Sequence, residues 1–323
     1  MSSRLRNKPQ NNIMRKLILF FLLFAFNGLL AQEEQVIINT PKKPEAQATK
    51  VFFSQKLINT KTVEVLHKGI MEFSVAHSFG DIAGDAGGIK RFYGLDNASD
   101  IRIGFQTGLS DKLNLITART RGAAFVQNLW ELGLKYQIVN QADNDSKRPF
   151  SMTVFVNNVM STQKRSTLNN QENSFDNFGD RMSQVVQLMI ARKFGNVSLQ
   201  FNPLYLHTNY VVPGDDQGIF ALGGAIRLPL SKKIIFLADY FHPFRSQAAK
   251  DLFSTQGVKF SDPLGIGFEI LTEGHSFHLN FTNSTEILEN RFIRRTVTSW
   301  GDGEFRWAFN ISRNFILFRE KKK

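Results

Sequence analysis

The sequence predicts one all-β fold: a single up-and-down antiparallel transmembrane β-barrel of about 12 strands, with short periplasmic turns and long extracellular loops. Three observations predict it. From Gly69 onward, segments of about ten residues alternate apolar and polar side chains, and a period of two gives a strand two unlike faces. The links between these segments are short and long in turn, as in outer-membrane barrels. An export signal precedes them all.

In chain order, residues 1–31 read as a signal peptide. Arg15 and Lys16 form a positive head, Leu17 to Phe26 is an unbroken apolar run of ten, and Ala31 is a small residue before the cut. Ten apolar residues fall short of the roughly 20 that a membrane-spanning helix needs. Met14 offers an alternative start. Residues 32–68 read as a flexible periplasmic leader, because the stretch to Lys50 is polar and holds Pro41 and Pro44. Residues 69–318 form the barrel, and 319–323 a basic C-terminal tail.

The expected strands run 69–79, 101–109, 113–121, 127–137, 149–158, 182–194, 197–206, 218–230, 234–241, 264–272, 275–282 and 303–317. The fourth shows the pattern: Trp130, Leu132, Leu134 and Tyr136 oppose Glu131, Gly133, Lys135 and Gln137. The third, fifth and ninth alternate poorly. Links after even-numbered strands are short, with 138–148 the exception; links after odd-numbered strands are long, with 122–126 the exception. Glu273-Gly274 reads as a two-residue hairpin turn. It sets Phe268 opposite Leu279, Ile266 opposite Phe281, Ile270 opposite Phe277, and Glu269 opposite His278. A slip by one residue would set apolar side chains against polar ones.

A soluble sandwich or barrel also alternates. Here, however, the polar face is rich in Gly, Ala, Ser and Asn, which suits a crowded lumen. The apolar face is aromatic, with 31 Phe in the chain, which suits the girdles of a membrane barrel. The absence of cysteine excludes a disulfide scaffold and a thiolate metal site. The net charge of +12 is concentrated at the ends: the first 31 residues hold five bases and no acid. The rest shows no basic stripe with interleaved aromatics, so no nucleic acid is expected as a partner.

Five stretches, TVEVLHKGIMEFSVAHSFGDI (62–82), FYGLDNASDIRIGFQTGLSDKL (92–113), QLMIARKF (187–194), HSFHLNFTNS (275–284) and GDGEFRWAFNISRNF (301–315), carry a family resemblance. The chain resembles the outer-membrane β-barrel proteins of unknown function found in Bacteroidota. That resemblance implies fold and location, and no activity. The expected partners are the lipid bilayer and, during biogenesis, the barrel-assembly machinery. That machinery reads a terminal aromatic residue, whereas this chain runs past Phe315 and Phe318 into its tail.

No catalytic, cofactor or metal site is expected, and no enzymatic activity. A barrel lipase needs a Ser and a His two apart on one strand face; none of the six histidines is read as having such a Ser, and His275 and Ser276 are adjacent and alternate faces. Asp215-Asp216 near His207 and the acidic first loop read as solvated turns. The lumen-facing polar candidates are Glu72, Arg102, Glu131, Lys135, Arg227, Glu269, His278, Glu304 and Arg306. Their mixed signs suit either a narrow passive channel for small polar solutes, the preferred reading, or a closed barrel. In the latter case the protein would be a structural or interaction barrel that docks a partner through its long loops or leader.

Overall fold

The computed structural model describes residues 48–143, 145–272 and 274–318, which lie in one compact unit, Ala46–Lys323. The expected signal peptide, residues 32–47 of the leader and the basic tail lie outside the described residues.

Twelve antiparallel strands close into a barrel in sequence order, with β1 pairing β12. They are β1 (Ile70–Asp81), β2 (Ala98–Gly108), β3 (Leu113–Thr120), β4 (Leu129–Val139), β5 (Ser151–Ser161), β6 (Met182–Phe194), β7 (Val197–Thr208), β8 (Gly218–Pro229), β9 (Ile234–Phe244), β10 (Leu264–Leu271), β11 (Ser276–Thr282) and β12 (Arg306–Ile316). On β4, Trp130, Leu132, Leu134 and Tyr136 point outward while Glu131, Gly133, Lys135 and Gln137 are buried inside. The β10–β11 register is the one the turn predicts: Phe268 faces Leu279, Ile266 faces Phe281 and Glu269 faces His278. Gly274 makes that turn with φ +92°, a conformation that favours glycine.

The links at one end are tight apart from the β4–β5 link at 140–150, and those at the other are long and structured apart from the β3–β4 link at 121–128. The β9–β10 link carries α1 (Gln247–Thr255), capped by the Ser246 side chain, which accepts from the Ala249 amide. The β11–β12 link carries a short helix, α2 (Glu289–Arg295), whose residues 289–294 are all buried. It folds into the barrel mouth against β6, β7, β8 and β9.

Three expectations need correction. First, the leader is not flexible from Ala48 on. Residues 48–68 enter the barrel from the short-turn end, reverse at Leu57–Thr60, and return. The Thr49 amide donates to Gln141 O at 2.7 Å in the β4–β5 link, and the Leu66 amide to Asn114 Oδ1 at 2.7 Å. Between them Lys56 bridges Lys61, and the Thr62 amide donates to Gln55 O at 3.0 Å. The physical reason is apolar content: half of residues 51–66 are Val, Phe, Leu or Ile, and burying such side chains is favourable by about 1.5–3 kcal/mol each.

Second, the inner wall is not uniformly polar. From β5 to β9 it presents Phe155, Met189, Leu204, Ile219, Leu237 and Phe241, packed on Val51, Phe52, Leu57, Ile58 and Val63 of the leader. Third, Glu304 precedes β12 rather than lining the lumen. Its carboxylate accepts from the Ser299 amide at 2.9 Å within the long loop.

Candidate functional site: the occupied lumen

The leader hairpin is the site's central object. Hydrogen bonds tie it to ten of the twelve strands: β2, β3, β4, β5, β6, β7, β9, β10, β11 and β12. Inward side chains of the alternating strands supply most of them, so the period of two that builds the barrel also builds the socket.

The tip is held by one carboxylate. Asp239 on β9 accepts from the backbone amides of Asn59 at 2.7 Å and Thr60 at 3.0 Å, and from Asn59 Nδ2 at 2.8 Å. Opposite it, Gly265 makes room: a Cβ there would stand 2.5 Å from Ile58 Cγ2. The two glycines of Gly265-x-Gly267 are therefore not equivalent. The first accommodates the hairpin tip, the second Asn280 of the neighbouring strand.

The stem is held by charge. Lys61 Nζ lies 2.9 Å and 3.0 Å from the two oxygens of Glu289 on α2, 3.3 Å from Glu131 on β4, and 4.3 Å from the centre of the Phe155 ring. Arg102 Nε donates to the other oxygen of Glu131 at 2.8 Å. Lys135 donates to Gln55 Oε1 at 3.1 Å and to the Glu64 carbonyl. Burial pushes the Lys56 ammonium down to about 8, with Arg102 and Lys61 adding to the effect and Glu289 and Asp239 opposing it.

A polar cluster holds the descending arm. Ser54 Oγ donates to Glu269 and lies 2.8 Å from Ser276 Oγ. His278 Nδ1 donates to the Leu57 carbonyl at 3.1 Å, and its Nε2 lies 3.1 Å from both serine hydroxyls and 3.4 Å from Glu269. Arg227 Nε reaches Glu269 at 3.4 Å. Ser276 and His278 are two apart on β11 and share its inner face, which corrects the expectation that no histidine has a Ser two positions away. A Ser beside a His suggests a nucleophile and its base. Here, however, the second ring nitrogen is held by a carbonyl of the hairpin, and both serines serve as anchors. Beside them lies a cavity of about 50 Å3, lined by Ser54, Gln55, Glu72, Arg102, Ser276 and His278.

Of the nine lumen candidates, Glu72, Arg102, Glu131, Lys135, Arg227, Glu269 and His278 surround the hairpin. Arg306 is buried but pairs with Asp81 at the long-loop rim, and Glu304 lies outside the wall. Sequence reasoning missed Asp239, Glu289 and the whole hairpin. The apolar residues of 51–66 were the available signal.

Arginines close the outer mouth. Arg291 donates to Glu286 and to Glu172, each at 3.0 Å, and Arg295 also pairs with Glu172. Arg294 donates to Asp215 at 3.0 Å, and Arg245 joins the same carboxylate. Burial alone would raise the Glu172 carboxyl, but Arg291 and Arg295 outweigh it and hold the group at about 2. Four long links are thus tied together above the hairpin. Among the described residues, no group of three or more His, Asp or Glu side chains could hold a metal ion.

Residues 52–315 match the model of a family described as a membrane bound beta barrel domain (DUF5777). The chain belongs to this family. The matched span begins inside the hairpin, at Phe52, so the leader's buried part belongs to the family's domain. No curated protein matches the chain. Among solved structures it is similar to the NanC porin (7% identity, 75% of this chain, 98% of that one, TM-score 0.46). It is also similar to the KdgM porin (8%, 76% and 99%, TM-score 0.46) and to Omp33 of Acinetobacter baumannii (9%, 76% and 97%, TM-score 0.36). At such identities and TM-scores these are loose likenesses of barrel shape.

Proposed function

We propose that the protein is an outer-membrane channel for small polar solutes, closed at rest by its own leader. The observation that carries this reading is the hairpin itself. Phe52, Thr60, Thr62 and Val63 are fully buried inside a barrel whose wall is built to hold them. A barrel of this size has a lumen between the side-chain-filled and the water-filled extremes. Here the filling enters and leaves at the same end, so it can be withdrawn without unthreading the wall. The short-turn end, where both hairpin arms emerge, faces the periplasm in this reading. The lipid bilayer and the barrel-assembly machinery are the partners proposed with it.

The rival reading is a permanently closed interaction barrel. The arginine-tied outer loops favour it, because they present a fixed surface. Planar-bilayer recording of Asp239→Asn against the native protein separates the two. The substitution weakens three hydrogen bonds to the tip, and bonds to a charged group contribute about 1.5–3 kcal/mol each. A channel gated by the hairpin shows rare stepwise openings that become frequent in Asp239→Asn. A folded variant as silent as the native protein supports the interaction barrel instead.

A further inference from the structure

The group that Lys61 brings into the lumen is a primary ammonium, and the lumen receives it as a receptor receives a ligand. Two carboxylates from different elements, Glu131 of β4 and Glu289 of α2, converge on Nζ within 2.9–3.3 Å. The face of Phe155 lies beneath it at 4.3 Å, an arrangement that attracts cations and strengthens when desolvated. Both carboxylates are almost wholly buried, at 0% and 1% side-chain exposure. Beside them Asn157, itself 1% exposed, donates to Glu131 Oε1 at 3.3 Å, while its own Oδ1 meets no donor among the described residues. Beside Glu131 the site thus holds one buried acceptor that Lys61 does not meet.

We infer that Glu131, Glu289 and Phe155 form a binding site for alkylammonium solutes, occupied in the closed state by the leader's own Lys61 as a tethered stand-in. This inference rests on the channel reading for its purpose, and it names the solute class. Residues 48–68 carry Lys50, Lys56, Lys61 and Lys68 against Glu64, so withdrawing them removes net positive charge from the lumen. Glu131 keeps Arg102, but Glu289 loses the Lys61 ammonium that pairs with it in the closed state. A carboxylate beside the low-dielectric barrel wall attracts a cation more strongly than one in bulk water, and an entering ammonium takes the place that Lys61 leaves. A neutral or anionic solute of the same size does not.

The test is chemical rescue in the full chain. Lys61→Ala removes three methylenes and the ammonium, a fragment that n-propylammonium replaces. The heat-induced gel-shift midpoint of Lys61→Ala should fall below that of the native protein. Millimolar n-propylammonium should restore at least half of the loss, saturably. Equal n-propanol or NaCl should not, the native protein should not respond, and Glu289→Gln added to Lys61→Ala should abolish the rescue. If Lys61→Ala does not fold by itself, the same comparison is made on refolding yield. No rescue, or rescue equal with n-propanol, overturns the site. Rescue in a protein whose Asp239→Asn variant is silent in bilayers keeps the site and refutes the channel. Conduction without rescue refutes the site alone.

Discussion

Phe268 and its neighbour Glu269 show how one step along a strand changes the solvent a side chain meets. Phe268 points outward, opposite Leu279 and near the Phe236 ring, whose centre is 6.0 Å away. Glu269 points inward to Ser54, His278 and Arg227. Arginine at position 268 would therefore face hydrocarbon. We expect Phe268→Arg to destabilise the barrel by about 2–4 kcal/mol if it lies near the midplane, read from denaturant unfolding in lipid vesicles. Tolerance equal to that of an exposed position on α1 such as Lys250 would mean that the faces are reversed. This residue-level alternation was legible in the sequence because lipid and lumen demand opposite chemistry at successive positions. The Ser276–His278 pair was equally legible from its spacing, but its role as an anchor was not. That role depends on Ser54, more than two hundred residues away.

At the scale of elements, the strands were read well and the leader was misread for a related reason. β3, β5 and β9 alternate poorly because their inner faces are also apolar: Ile116, Phe155, Ile235, Leu237 and Phe241 cover the hairpin. The failure of alternation was thus the imprint of the plug on its socket. A strand apolar on both faces needs an apolar neighbour on each, and a barrel lumen offers one only if something enters it. The hairpin's seating should also respond to pH through Lys56. Its pKa in the seated hairpin, about 8, lies below its ordinary 10.5, so the seated state holds this proton less tightly than the released one. Below pH 8 the full penalty of burying the charge applies, and it is lifted as pH rises from about 8 towards 10.5. Relative to Lys56→Met, which never carries the charge, the native barrel should gain thermal stability across that interval. Parallel midpoints for the two proteins would show that Lys56 carries no such penalty.

For the whole molecule, the barrel, the hairpin and the arginine-tied loops form one nested arrangement. The wall excludes lipid, the hairpin fills the wall, and α2 meets the hairpin at Lys61 from the opposite end. None of this nesting follows from a period of two, because it joins residues far apart in the chain through side chains that the pattern leaves unassigned. The central claim is that residues 48–68 occupy the conduction path and leave it on opening. The chain has no cysteine, and Ser54 and Ser276 face each other with hydroxyls 2.8 Å apart across the hairpin–wall boundary. The double variant Ser54→Cys/Ser276→Cys therefore tests the claim directly. Oxidised, it should form the cross-link in the membrane and show no openings in a planar bilayer; reductant should release openings at least as frequent as those of the native protein in the same recording. Efficient cross-linking with openings that persist unchanged would contradict the account.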